Sequence, residues 1–192
     1  IPPATSAVRD FSRLAPRIPD LLAEKCVGCM ACVSACPDTA ILGVVVPGPE
    51  LDGRVEAFAA AAREPAVAAT TARGHFVDTQ KYGEVPARKG HARGQFGIFV
   101  DPVHCKGCAE CVEVCAALGH DALVMIDKVA DEPATGESTL DRFERDMRFF
   151  RSLPPTPPEY RNEKALADLM LGEHAIGYVG GAGSCAGCGE AS

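Results

Sequence analysis

Four cysteines, Cys26, Cys29, Cys32 and Cys36, recur as Cys105, Cys108, Cys111 and Cys115, each displaced by 79 positions. A constant displacement over four residues of one type means that one supersecondary unit has been used twice, and any fold for this chain must accommodate both copies. The flanks repeat as well. Residues 97–101 (GIFVD) read as a short strand running into the second cysteine loop, and residues 122–126 (ALVMI) as a strand leaving it. In the first copy the outgoing strand covers residues 41–46 and is closed by the turn signal Pro47, Gly48, Pro49. Two strand, loop, short helix, strand units are therefore expected to face each other.

The segment between the copies is long. Residues 54–63 (RVEAFAAAAR) have high helix propensity with Pro65 as a stop, which predicts one helix. Residues 70–94 are polar, rich in glycine and without period, and read as an excursion over the surface held by a neighbouring domain. After the second copy, Leu140, Phe143, Met147 and Phe150 fall at helical spacing, with Glu144 and Arg148 on the outer face. Pro154, Pro155, Thr156, Pro157 and Pro158 then predict a stiff, extended linker, followed by a helix over 159–171 that presents Leu166, Leu169 and Met170.

Composition removes several function classes. A net charge of -7 argues against a nucleic-acid footprint. The one basic stretch, Arg88, Lys89, His91 and Arg93, lacks interleaved aromatics and reads as a solvated loop or a partner-facing patch. No apolar run approaches the roughly 18 residues of a membrane span. Among the histidines, His104 stands beside Cys105, whereas His75, His91, His120 and His174 show no spacing that suggests a metal or catalytic pair.

Ten cysteines without a secretory signal favour metal or cluster ligation over a disulfide scaffold. The run from Cys26 to Pro37 is C-x-x-C-x-x-C-x-x-x-C-P. Three thiolates two residues apart can wrap a corner of an iron–sulfur cubane while the intervening amides point at its sulfides, and the small residues Gly28, Ala31 and Gly107 permit that close approach. Structural zinc draws its four ligands from two separated pairs, a poor match to a threefold run. The run resembles that of bacterial two-cluster ferredoxins, in which the fourth cysteine of each run ligates the other cluster. The resemblance implies an α+β fold, a two-cluster ferredoxin-like domain with a long insertion and a C-terminal helical and extended linker. It also implies two [4Fe-4S] clusters, one on Cys26, Cys29, Cys32 and Cys115, the second on Cys105, Cys108, Cys111 and Cys36. The second run departs from the pattern in that Ala116 stands where proline is usual, which leaves the turn after Cys115 less rigidly set.

The tail, residues 180–190 (GGAGSCAGCGE), crowds glycine around Cys185 and Cys188. With the duplicated cysteine run and the PPTPPEYR stretch before it, this tail resembles the pyruvate:ferredoxin oxidoreductase family, the thiamine-dependent 2-oxoacid oxidoreductases. That resemblance implies that Cys185 and Cys188 are two ligands of a third cluster completed by missing sequence, and that Glu190 meets thiamine diphosphate. The parent enzyme would also use Mg2+ and coenzyme A, and would pass electrons singly to a ferredoxin or flavodoxin. By the same resemblance, residues 1–20 are an N-terminal linker, 21–130 the ferredoxin domain with an insertion at 47–96, 131–179 a helical and proline-rich linker, and 180–192 the start of a thiamine diphosphate domain. The chain is expected to be a piece of a longer, cytoplasmic, homo-oligomeric enzyme whose other domains are its partners. It is not expected to catalyse alone, to cross a membrane or to bind nucleic acid. The alternative is a stand-alone ferredoxin or a ferredoxin-like subunit of another redox complex. The acidic balance favours low cluster potentials, since negative charge destabilises a reduced cluster.

Overall fold

The computed structural model describes residues 10–128, 137–162 and 165–171. Two antiparallel sheets form its frame. In the first, β1 (Arg17–Leu21) pairs with β5 (Leu123–Asp127), from Arg17 opposite Asp127 to Leu21 opposite Leu123. In the second, β2 (Ile41–Pro47) pairs with β4 (Gly94–Val100), and β3 (Phe76–Asp78) lies on the far side of β4. The strand entering each cysteine loop thus pairs with the strand leaving the other. β1 begins at Arg17, inside the stretch read as an N-terminal linker, and supplies the first copy's incoming strand.

The duplication reaches the backbone angles. Gly28 and Met30 have φ of 73° and 67°, and their counterparts Gly107 and Ala109 have 72° and 67°. Each left-handed residue just before the helix ends the loop and starts a short helix, α1 (Ala31–Ala35) or α5 (Glu110–Ala117), and the two helices lie together. The helices differ in length for a local reason. Pro37 disfavours a helical conformation at Cys36, which is extended (φ -69°, ψ 114°), so α1 stops at Ala35. With Ala116 in the same place, α5 continues past Cys115 to Ala117 and is closed by left-handed Gly119, where Gly119 N–H bonds Ala116 O and His120 N–H bonds Cys115 O. The departure from proline therefore lengthens a helix. The displacement between copies becomes 82 beyond this point, as left-handed Thr39 (51°) and Asp121 (47°) show.

The insertion is more ordered than its composition suggests. α2 (Gly48–Ala60) starts six residues before the expected Arg54, because the prolines read as a turn occupy its first turn, where a fixed φ and a missing N–H suit a helix. Pro65, read as a stop, starts α3 (Pro65–Gly74) in the same way. The stretch expected to be aperiodic then holds β3, a π-helical turn (Gln80–Glu84) capped by Thr79, and α4 (Val85–Arg88). Within the basic stretch, Arg88 pairs with Glu84 and Arg93 with Asp78.

α6 (Thr139–Ser152) forms where periodicity placed a helix, with Ser138 as its cap accepting from Asp141 N–H. It buries Leu140, Phe143, Met147 and Phe150 as expected, and also Phe149, which is 0% exposed and packs against Phe58, Phe76 and Phe99 at ring separations of 4.8, 6.4 and 6.2 Å. Glu144 and Arg148 are exposed. The helix expected over 159–171 is not continuous: a 3-10 turn (Pro158–Tyr160) is followed by an extended Arg161, and α7 spans only Leu166–Leu169. Both proline-rich and following segments cover the open edge of β2. Val45 N–H donates to the buried Thr156 Oγ1 at 2.9 Å, and Leu171 bridges Gly43 in parallel. What was read as a linker thus seals a sheet edge. Among the described residues no helix is long and apolar enough to cross a membrane.

Two substitutions probe this frame. Thr156→Val keeps shape but leaves the buried Val45 N–H unpaired, and the expected loss is about 1–3 kcal/mol in urea denaturation with an unchanged m value. Gly107→Ala costs roughly 1–2 kcal/mol for the left-handed backbone alone. It should lose more than that, because the new Cβ would stand 2.8 Å from Arg17 O in a strand fixed by pairing; a loss confined to that range would show that β1 gives way.

Candidate cluster-binding site

Interlocked strands decide which thiols meet. Cys26, Cys29, Cys32 and Cys115 line one cavity of about 370 Å3, counted to its open mouth, with Phe96 and Ile98 in its wall. Cys36, Cys105, Cys108 and Cys111 line a second of about 320 Å3, together with Asp38, His104 and Lys106. Each cavity thus takes three cysteines from one copy and the last from the other. All eight are free thiols; Cys29 and Cys108 are exposed, and the rest are half-buried or buried.

The backbone aims donors at sulfur. Ala40 N–H donates to Cys36 Sγ at 3.2 Å, and its counterpart Ala122 N–H donates to Cys115 Sγ at 3.3 Å. Gly28 and Gly107 amides face Cys26 and Cys105. Such donors favour thiolate, yet burial opposes it. Burial raises the Cys26, Cys32, Cys36 and Cys105 thiols above their ordinary value. Cys111 is pushed up to about 12, first by burial and then by Cys36, Cys105 and Cys108 around it. Four thiolates in one apolar cavity repel each other, so the arrangement calls for concentrated positive charge among them. Among the described residues no three His, Cys, Asp or Glu side chains are placed to hold a single metal ion. The donor set, all thiol and spread around a cavity wall, fits a many-atom iron–sulfur cluster.

Polar groups surround the two cavities differently. Beside the second, Lys106 Nζ meets Asp38 at 2.7 Å. His104 Nδ1 meets the buried Asp101 at 3.1 Å, and Arg151 lies 3.5 Å from the same carboxylate. Burial alone would raise the Asp101 carboxyl, but hydrogen bonds from His104 and Val103 N–H outweigh it and hold it low, while the same bond holds His104 high. Beside the first cavity, Tyr82 from the insertion lies with its ring against Gly28, stacks on Phe96 at 5.1 Å and is 0% exposed. Its hydroxyl donates to the buried Asp168 at 2.9 Å, which also accepts from Lys81 Nζ at 2.5 Å and Asn162 N–H at 3.0 Å. Burial, then Asp168, raises the Tyr82 hydroxyl, which therefore stays a donor.

Sequence reasoning missed Tyr82, Asp168 and the buried Lys128, none of which stands in a motif. It also missed His75, whose Nε2 is 3.0 Å from Asp146 Oδ2, an ion-pair distance without hydrogen-bond alignment, 71 positions away in the chain. Cys185, Cys188, Glu190 and His174 lie outside the described residues.

Comparison with known proteins agrees with this geometry. Residues 25–119 match the 4Fe-4S dicluster domain family. The pyruvate-flavodoxin oxidoreductase of Nostoc sp. is 28% identical over 191 residues, which cover 98% of this chain and 13% of that protein. An Escherichia coli protein named "Probable pyruvate-flavodoxin oxidoreductase" is 29% identical over 180 residues, covering 92% of this chain and 13% of that protein. The chain spans about an eighth of the length of these relatives. Residues 25–119 thus match an iron–sulfur electron-transfer domain, the 4Fe-4S dicluster domain, and the chain is similar over nearly its whole length to a segment of pyruvate-flavodoxin oxidoreductases.

Proposed function

We propose that this chain is the electron conduit of a thiamine diphosphate-dependent 2-oxoacid oxidoreductase, with pyruvate as the substrate, acyl-CoA and carbon dioxide as products, and a flavodoxin or ferredoxin as acceptor. Two [4Fe-4S] clusters sit crosswise, one on Cys26, Cys29, Cys32 and Cys115 and the other on Cys36, Cys105, Cys108 and Cys111. The observation that carries this reading is the grouping of three thiols from one copy and one from the other around each cavity. A bound cluster takes up and releases one electron at a time. The chain's own part is to hold it: amides directed at Cys36 and Cys115 stabilise negative sulfur, Phe96 and Ile98 wall one cavity with apolar surface, and the close packing of α1 on α5 keeps the two seats adjacent.

The relation to pyruvate-flavodoxin oxidoreductases supports the larger assignment. In it, Cys185 and Cys188 contribute to a third cluster and Glu190 contacts thiamine diphosphate, whose Mg2+ and substrate residues belong to sequence outside these 192 positions. The remaining domains of a cytoplasmic, homo-oligomeric enzyme are then the chain's partners.

Paired substitutions test the crossing in the intact protein, prepared without oxygen and assayed for iron and acid-labile sulfide. Two ligands of one cluster act as a unit, so their losses do not add. Cys36→Ala combined with Cys108→Ala should lose about four irons, no more than either change alone, whereas Cys36→Ala combined with Cys29→Ala should lose about eight. The reverse pattern would show uncrossed clusters, and iron in ratios of one per site would remove the cubanes altogether.

A further inference from the structure

The two halves repeat in their thiols, left-handed loop residues and N–H···S bonds, but they do not repeat in buried charge. Lys128 follows β5 and is 0% exposed. Its Nζ donates to Phe11 O at 3.0 Å, Pro102 O at 3.0 Å and Cys105 O at 3.2 Å. Three carbonyl acceptors match the three N–H donors of an ammonium, one more than a neutral amine has, so the geometry favours the charged form against the opposing effect of burial. With the outgoing strands displaced by 82, the equivalent position in the first copy is Val46, also 0% exposed and wholly apolar.

Two other lysines near the cavities are paired with carboxylates. Lys81 pairs with Asp168 beside the first, and Lys106 with Asp38 beside the second. Among the described residues Lys128 bonds only to carbonyl oxygens. Of the carboxylates whose charge reaches it, Asp10 is exposed and Asp101 is already engaged by His104 and Arg151. A positive charge thus sits on the backbone of Cys105 with no carboxylate among the described residues at contact distance. Among the described residues no buried cation stands at Cys26.

We propose that Lys128 orders the two electron seats: it holds the potential of the cluster on Cys36, Cys105, Cys108 and Cys111 above that of the cluster on Cys26, Cys29, Cys32 and Cys115, so that an electron reaching the pair settles on the former. The inference rests on the two-cluster reading above. Adding an electron makes a cluster more negative, and a buried cation stabilises that state by an attraction that low local dielectric leaves little screened. The effect falls off with distance, so the nearer cluster gains more. Lys128 is a positioning residue in this scheme, since it touches the chain that holds the cluster and not the cluster itself.

The test is an EPR-monitored redox titration of the intact protein, purified without oxygen, with Lys128→Met, Lys128→Gln and Lys128→Arg beside the unaltered chain. A Cys108→Ser change, made separately in the unaltered and Lys128→Met backgrounds, marks which signal belongs to the second seat. Iron and sulfide are counted first. The expected result is a more negative potential for the marked cluster in the Met and Gln variants, no movement of the other, and return towards the original value in the Arg variant. Should the Met variant fail to hold its iron, the Gln variant, which keeps two donors without the charge, decides the matter. An unmoved marked potential at full iron content would reduce Lys128 to a structural clamp and overturn the proposal, as would an equal fall of both potentials. Absence of paired clusters from the unaltered protein would instead refute the two-cluster reading on which the proposal stands.

Discussion

Each half of the duplicated unit completes its sheet with a strand from the other half: β1 pairs with β5 and β2 with β4. Neither copy could satisfy its strand hydrogen bonds alone, since the partners of its incoming and outgoing strands lie in the other copy. This exchange carries the last cysteine of each run across to the cavity of its sister. It also brings α1 against α5, and so sets the two cavities side by side. A second consequence is that the pairing closes over the cysteine loops. Those loops can then afford backbone angles that a free chain would avoid, as Met30 and Ala109 do at φ of 67°.

Burying sulfur in this frame creates an electrostatic demand. Thiols gathered in apolar cavities are held protonated by desolvation and by one another, as at Cys111, while N–H donors from Ala40 and Ala122 pull the other way. Neither effect alone would hold thiolates together. The positive charge of irons reconciles them, which is why a cavity lined by four cysteines reads as a cluster seat and not as four spare side chains. The symmetry of the seats ends with their surroundings. One is covered by Tyr82, Phe96 and the Asp168 carboxylate with its three donors, and the other stands beside Lys128.

The insertion and the segment after α6 finish what the duplicated unit leaves open. Tyr82 reaches from the insertion to Gly28 of a cysteine loop and to Asp168 in α7, so three separate stretches meet at one side chain. Thr156 and Leu171 occupy the outer edge of β2, whose residues from Ile41 to Val46 are all buried. An edge as apolar as this would otherwise invite pairing with another chain. The proline-rich run is suited to this work because it is stiff and extended and offers few N–H donors of its own.

Much of the design is local and so can be read along the chain. The cysteine spacing specifies the kind of cofactor, the 79-residue displacement specifies a duplicated unit, and the spacing of Leu140, Phe143, Met147 and Phe150 specifies α6. The insertion was less legible because its helices are short and alanine-rich, and because Pro47, Pro49 and Pro65 serve as helix starts where they looked like stops. The helix expected over 159–171 was undone by contacts of Thr156, Tyr160 and Asp168 with distant strands and turns. The ferredoxin resemblance implied which thiols share a cavity, but tertiary structure alone decided which carbonyls surround Lys128 and which carboxylate meets Tyr82. Those partners lie far apart in the chain, from 23 residues between Lys128 and Cys105 to 117 between Lys128 and Phe11. Periodicity and spacing report on a residue's neighbours along the chain, and only folding brings such partners within hydrogen-bond reach.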